Sequence, residues 1–596
     1  MKKSLLAITI TTALALTACN PNTPTTESNS DTASKEVVVD INKTFDSFKE
    51  KLIDDLWKQY PGYAVYYGYY KYDDVLTIED EASRNKNLAL TKMFLSSLNE
   101  FDVEKLDAGN ASDFYILKNQ LESSIWYAKS FRSYEWDPSN YNVAGVFGVI
   151  LNTDYKDKDE RLRTIYRRME NIPAYYQAAQ TNLTSPTIPH TELGIQQNKG
   201  AVGLFEASIA NAVKESGLSD EEKQAFEERN NAAIAAINNY VSFLESKLSQ
   251  LKESGNARDF RIGKELYDAK FKYDIFSGYS AEELYEKAKN ERDRVHQESI
   301  KIAQQLWLKY FPDQTFPEDP LVGTKAVIDH ISVKHVKRDE FVSSIRAQIP
   351  ELEKFVIDNK LIEMDKEKPL VVRETPEYQR GFAGASINAP GPYDATANTY
   401  YNVTPLDNFN DEEAESYLRE YNHWILQILN IHEAVPGHYT QLVHANKSPS
   451  LVKSIFGNGA MIEGWAVYTE RMMLEEGYGN FEPELWLMFY KWNLRAVMNA
   501  ILDYEIQVKG LSEEDALDMM INQAFQEESE AKGKWRRATL SQVQLTSYFT
   551  GYSEIYAFRE EQKKALGDKF SLLDFHNTFL SFGSAPVPII KELMTK

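Results

Sequence analysis

Histidine is scarce in this chain, nine in 596 residues, yet His423, His432, His438 and His444 fall within one stretch of 22 residues. The centre of that stretch reads Ile431-His432-Glu433-Ala434-Val435-Pro436-Gly437-His438. Two neutral imidazoles with a carboxylate beside the first are what a hydrolytic zinc site requires. The imidazoles of His432 and His438 hold the cation, while Glu433 reaches the metal-bound water and takes its proton. Zinc brings the pKa of that water down to about 7, so hydroxide becomes available at neutral pH. Two histidines and a carboxylate also suit iron(II), but a Glu adjacent to the first His favours hydrolysis.

The spacing is unusual. In the common HEXXH motif the histidines are four residues apart and share a helix face. Here they are six apart, which on an unbroken helix leaves them about 120° out of alignment. Pro436 lacks an N–H and clashes with the carbonyl of His432, and Gly437 permits turns that other residues resist. We expect a distorted turn that brings His438 back toward His432. The alternative is a helix ending at Val435, followed by two unrelated histidines.

A catalytic zinc usually takes a third protein ligand. In Glu463-Gly464-Trp465-Ala466-Val467-Tyr468-Thr469-Glu470, helical spacing puts Glu463, Ala466, Val467, Glu470 and Leu474 on one face. Carboxylates on an apolar face are costly unless paired or bound to metal. Glu463 is the candidate third ligand, and Glu470, two turns on, is placed to orient a ligating histidine. Either could instead pair with Arg471 or another base as a plain buried ion pair.

The elements that must position these groups are mainly helical. Before the motif, Asp411 reads as a helix cap, with Glu412 and Glu413 in the first turn. Leu418, Tyr421, Trp424, Ile425, Ile428 and Leu429 then trace one apolar stripe that runs on to His432. Ser219 to Lys252 has helical periodicity throughout, and Ser280 opens another helix. Strand signals are confined to Leu370-Val371-Val372 and Thr399-Tyr400-Tyr401-Asn402-Val403, with a Gly/Pro/Ala/Asn-rich stretch from Gly381 to Asn398 before the second. A small antiparallel β-sheet is therefore expected near residues 365–405. The 35 tyrosines are read first as core residues.

The formal net charge of −23 argues against nucleic acid, whose binding relies on Lys and Arg neutralising phosphates. It argues equally against a broad contact with anionic lipid. The only cysteine is Cys19, after a leader with Lys2 and Lys3 followed by the apolar stretch Leu5 to Leu16. Leu16-Thr17-Ala18-Cys19 resembles the lipobox of bacterial lipoproteins, in which the Cys becomes the lipid-modified first residue. Residues 1–18 then read as a cleaved signal peptide, and their removal with Lys2 and Lys3 takes −23 to −25. Residues 19–36 are the lipidated Cys and a flexible tether rich in Pro, Thr and Ser. Membrane contact is expected through this anchor alone. Asn20 in place of Asp points to the outer membrane, facing the periplasm. Residues 37–596 are one helical metallohydrolase-like domain, with its catalytic core at about 365–560.

HEAVPGH followed by EGWAVYTE resembles the bacterial family labelled domain of unknown function 885. Tyr60-Pro61-Gly62-Tyr63-Ala64 with Gly68, the Asn398–Val403 segment, and Arg537, Gln544 and Tyr548 extend the resemblance over most of the chain. Gln542-Val543 stands where the family often has Pro-Gly. The resemblance implies a two-lobed, gluzincin-like helical fold with a deep cleft, similar to thimet oligopeptidase, angiotensin-converting enzyme and thermostable carboxypeptidases. By that analogy His432, His438 and Glu463 hold zinc and Glu433 is the general base. The strand Thr399 to Val403 lines the cleft and pairs with an extended peptide. Tyr548, then Tyr552 and Arg537, would stabilise the oxyanion. The expected activity is hydrolysis of short peptides in the periplasm. A zinc amidase or esterase on another small substrate, or a binding lipoprotein without catalysis, are the rivals.

Overall fold

The computed structural model describes residues 40–365, 367–375, 384–393, 398–447 and 450–596. The signal peptide, Cys19, the tether and the expected domain start at Val37 lie outside the described residues. Ile41–Lys596 forms one unit, and no described helix is long and apolar enough to cross a membrane.

The longest helices are α1 (Asp220–Ser254) and α2 (Ala281–Tyr310). Both begin with a capping box: Ser219 with Glu222, and Ser280 with Glu283. Each pair satisfies two backbone N–H groups that a helix start would otherwise leave open. Two hydrophobic cores form. One is built from residues between Val65 and Leu244, among them Phe147, Tyr176, Phe205 and Tyr240. The other holds Trp57, Tyr267, Trp465, Tyr468 and the helices of the candidate site. Several tyrosines are thus core residues, whereas Tyr60, Tyr63 and Tyr66 are exposed.

Past α3 (Phe341–Asp358) lies a three-stranded sheet of β1 (Leu370–Glu374), β2 (Ala385–Asn388) and β3 (Thr399–Val403), in the order β1-β3-β2. The sheet is mixed, which corrects the antiparallel expectation. β2 is antiparallel to β3, but β1 runs parallel to it, with Val372 opposite Tyr401. Strand direction depends on how the intervening chain returns, and β2 arises inside the Gly/Pro-rich stretch, where no strand was expected. β3 is central, with both edges paired. It therefore cannot receive an extended peptide along its backbone, as the resemblance suggested; among the described residues the outer edges belong to β1 and β2.

The helix leading to the motif is also not continuous. Asn410, not Asp411, caps α4 (Asp411–Glu420), in a capping box with Glu413. A new helix, α5 (His423–Glu433), then starts at Asn422. The Asn422 side chain accepts from the backbone N–H groups of Trp424 and Ile425 at 3.2 and 3.3 Å. The apolar stripe survives the break because Leu418, Trp424, Ile425, Ile428 and Leu429 are all buried.

Next come α6 (His438–Asn446), α7 (Gly459–Glu475) and α8 (Pro483–Tyr504). They are followed by α9 (Glu528–Leu540), α10 (Ser547–Leu566) and α11 (Leu572–Ser581). Asn458 caps α7 through the N–H of Met461 at 2.8 Å and ties it to the carbonyl of Ile275.

Candidate metal centre

His432 lies in the last turn of α5 and His438 is the first residue of α6. The expected distorted turn is a full break between two helices, with a cis Val435–Pro436 peptide. The Gly437 N–H donates to the carbonyl of Ile431 at 3.0 Å. A Cβ on Gly437 would stand 1.9 Å from the carbonyl oxygen of His432, so only glycine permits this close return of the chain. The indole N–H of Trp465 donates to the Pro436 carbonyl at 2.9 Å. The turn is thus held by the helix that carries Glu463.

The turn brings the two imidazoles together, with ring centroids 4.8 Å apart and planes at 89°. Glu463 Oε2 lies 3.8 Å from His432 Nε2 and 3.4 Å from His438 Nε2. One ligand atom from each of the three side chains falls within 4.8 Å of the others. Tetrahedral donors at about 2.1 Å from a common zinc ion sit about 3.4 Å apart, so the group fits such an ion with small adjustments. The side chains of His432, His438 and Glu463 are 10%, 13% and 24% exposed, so the site is sheltered but not sealed from solvent.

Glu470 is fully buried, and its Oε1 accepts from His432 Nδ1 at 2.6 Å and from the indole of Trp492 at 3.1 Å. That bond fixes a proton on Nδ1 and turns Nε2 toward Glu463, where a metal ion would take the place of the Nε2 proton. Burial depresses the His432 pKa, but the hydrogen bond and charge of Glu470, with Glu433 and Glu463, outweigh it and hold it at about 9. Burial raises Glu433, and the two imidazoles only partly oppose it, so its carboxyl sits above the ordinary range. Burial also acts to raise Glu463, but His438, His432 and Arg537 prevail and hold it low. Arg471 pairs with Glu475 instead of with Glu463 or Glu470.

α7 and α10 cross where Gly464 meets Gly551; a Cβ on Gly464 would lie 2.3 Å from Gly551 backbone. This contact sits next to Glu463 and between Tyr548 and Tyr552. Tyr548 feels the charge of Glu463, and its hydroxyl accepts from Arg537 Nη2 at 3.2 Å. Arg537 also donates to Gln544 at 2.7 Å. Arg537 and Tyr548 therefore join the cluster, whereas Tyr552 is turned to Arg471, whose guanidinium donates to its hydroxyl at 2.8 Å. At the departure from the family pattern, Val543 takes φ 72°, a conformation usually left to glycine.

Three groups near the site escaped sequence reasoning. Trp492 supports Glu470, and Tyr401 and Tyr421 are close enough to Glu433 to feel its charge. Tyr401 was legible as part of a strand, but nothing in the spacing of Trp492 or Tyr421 marks them. His444, His423 and His576 are outside the metal cluster. His444 meets the Glu363 carbonyl, His423 packs on Trp424, and His576 lies between Tyr468 and the Leu361 carbonyl.

The bacterial family described as a protein of unknown function, DUF885, matches residues 61–594. The solved structure of "a putative lipoprotein of unknown function" from Shewanella oneidensis is 56% identical. The match covers 93% of this chain and 100% of that one, with a TM-score of 0.87. "The putative lipoprotein from Colwellia psychrerythraea" is 18% identical over 94% of this chain and 99% of its own. Its TM-score of 0.77 shows a shared fold. None of the curated proteins matches this chain.

Proposed function

This chain belongs to the bacterial family DUF885, and from that premise we propose that it is a zinc-dependent hydrolase of short peptides. The observation that carries the reading is the convergence of His432, His438 and Glu463 in a sheltered site, with Glu433 against them. Zinc held by those three residues would supply Lewis acidity and make hydroxide available at neutral pH. Glu433 takes the proton of the attacking water and passes it to the leaving amine. Its raised pKa suits that exchange, because a base works best when its pKa lies near the working pH. Tyr548 accepts from Arg537, which leaves its own O–H proton to donate to the developing oxyanion. An extended peptide adds along the outer edge of β2, which pairs with no strand among the described residues and lies beside α5. A gluzincin-like cleft between two lobes would admit short peptides and exclude folded proteins.

The protein would work in the bacterial cell envelope. Cys19 would carry the lipid that anchors it to the outer membrane, with the catalytic unit in the periplasm. The description of its relatives as lipoproteins supports this reading.

The test is elemental analysis of the purified protein, followed by mass spectrometry of a mixed peptide library with and without a chelator, beside Glu433→Gln. We expect one zinc per chain in both proteins. Cleavage should disappear with the chelator and fall at least about 100-fold in the variant. Bound metal with no cleavage of any peptide would overturn the peptidase reading in favour of another amide or an ester.

A further inference from the structure

Several tyrosines of this chain are core residues, but Tyr60, Tyr63 and Tyr66 are 38%, 50% and 54% exposed. They belong to Tyr60-Pro61-Gly62-Tyr63-Ala64-Val65-Tyr66-Tyr67, where Pro61 opens a helix that ends at Tyr66. Steps of three residues bring the tyrosines to one side, while Ala64 and Val65 turn into the core. The Tyr67 hydroxyl donates to the carbonyl of Ile455 at 2.9 Å and accepts from that of Tyr63 at 3.2 Å. The aromatic group is thereby pinned to the segment that leads into α7.

These rings line a cavity of about 780 Å³, a size typical of small-molecule sites. Tyr175 joins them, and Gln59, Glu79, Gln120, Asn140 and Asn142 supply polar lining. Arg168 lines it as well. It is 3% exposed, its Nη1 donates to the Asp73 carbonyl at 3.0 Å, and its Nε has no hydrogen-bond partner among the described residues. Burial raises the Glu79 carboxyl, and its charge reaches Tyr60 and Tyr175. Leu442, one turn past His438, and Ile462, next to Glu463, face the cavity, whereas His432, Glu433, His438 and Glu463 do not. Leu56, Gln59, Tyr60 and Phe456 are shared with a recess of about 40 Å³, lined further by Leu52, Phe94 and Leu117.

We propose that this tyrosine-lined cavity binds a saccharide that carries N-acyl groups. The face of an aromatic ring is negative, so it attracts the slightly positive C–H bonds on the face of a pyranose ring. Carboxamides both donate and accept, Glu79 accepts and Arg168 donates. Sugar hydroxyls do both and can meet all of them. An apolar side chain would leave those polar groups dry and unpaired, and a simple anion would be repelled by Glu79. The recess is apolar and small enough for a methyl group. Such a space stays dry until an apolar group fills it, and the methyl of an acetamide does so. No metal ligand lines the cavity, so this binding stands apart from the hydrolase reading. The sugar arrives either as a free glycan or on a peptide, whose chain then runs from Leu442 and Ile462 toward the metal centre.

Calorimetric titration of the purified chain, before and after chelation, tests this. The probes are triacetylchitotriose, cellotriose, a short peptide carrying N-acetylglucosamine on a serine, and the same peptide without the sugar. We expect triacetylchitotriose to bind with a Kd below about 1 mM and at least about fourfold more tightly than cellotriose, which has hydroxyls in place of the acetamides. Chelation should leave both values unchanged. Tyr66→Ala should weaken binding about fivefold or more, and Tyr66→Trp should restore it. Phe481→Ala, at an exposed ring outside the cavity, should have no effect. All three variants alter exposed rings and should melt like their parent. Tighter binding of the glycopeptide than of the trisaccharide would identify a sugar carried on a peptide, and the reverse order a free glycan; either supports the site. No binding of any saccharide, equal affinity for the two trisaccharides, or full affinity in Tyr66→Ala would each overturn the proposal. So would a bare peptide that binds as tightly as the glycosylated one, or binding that is lost on chelation.

Discussion

At the scale of single residues, the most informative group is a carboxylate that touches no substrate. Glu470 is fully buried, and burial acts to raise its pKa while His432 and Trp492 oppose it. Its Oε2 has no hydrogen-bond partner among the described residues. A carboxylate kept in such a place needs a reason, and the reason on offer is the orientation of His432. Removing it frees the imidazole to rotate and to move its proton to Nε2, the atom that must be bare to bind metal. Glu470→Ala should weaken zinc binding by about 10- to 100-fold, measured by competition with a chromogenic chelator. Glu470→Gln retains an acceptor for the Nδ1–H and should lose less. Unchanged affinity in the alanine variant would leave Glu470 as a structural ion-pair partner and nothing more.

At the scale of elements, the site depends on where helices stop and how closely they cross. The Asn422 cap is buried and starts α5 afresh ten residues before His432. Asn422→Ala should cost about 1–2 kcal/mol, seen as a lower unfolding midpoint. The α7–α10 crossing is tighter. A Cβ on Gly551 would stand 1.7 Å from the carbonyl oxygen of Ala460, which side-chain rotation cannot relieve. Gly551→Ala should force the helices apart at a cost of about 1–3 kcal/mol, and should separate Tyr548 from Glu463. Its catalytic loss should therefore exceed its metal loss, and a variant with wild-type melting and activity would refute the close crossing. These features explain what the sequence could convey. The motif histidines, Glu463 and Glu470 were legible because one helix face or one short segment carries them. The capping boxes at Ser219 and Ser280 are local as well. The break at Asn422 was hidden because the apolar stripe keeps step across it, from Leu418 to Trp424 and Ile425. The parallel pairing of β1 with β3 and the Trp492 support both depend on contacts between distant segments, and no local spacing encodes them.

At the scale of the whole molecule, His576 joins distant parts of the chain. It is fully buried on α11, with Nδ1 at 2.7 Å from the Leu361 carbonyl and Nε2 at 2.8 Å from the Tyr468 hydroxyl of α7. A carbonyl can only accept, so Nδ1 carries the proton and Nε2 receives the tyrosine's. Burial drives its pKa from 6.5 down to about 4, with Arg559 adding to the effect. Above pH 6.5 the ring is neutral folded or unfolded and adds no pH dependence. Between 6.5 and 4 the unfolded chain binds a proton that the folded one refuses, so stability falls as pH falls. The loss amounts to about 3 kcal/mol by pH 4. His432, held near 9 without metal, is protonated in both states throughout that window and contributes no slope. Asp503 does contribute, with the opposite sign: burial lifts it to about 8, so the folded chain keeps its proton and gains stability as pH falls. The two effects overlap, and the difference between wild type and His576→Gln isolates the histidine. Unfolding midpoints of the metal-free proteins should converge as pH drops from 6.5 to 4, because glutamine can meet the same carbonyl and hydroxyl without titrating. A constant gap across that range would mean that His576 takes up a proton inside the fold, and that the junction of Leu361, Tyr468 and α11 opens to let it in.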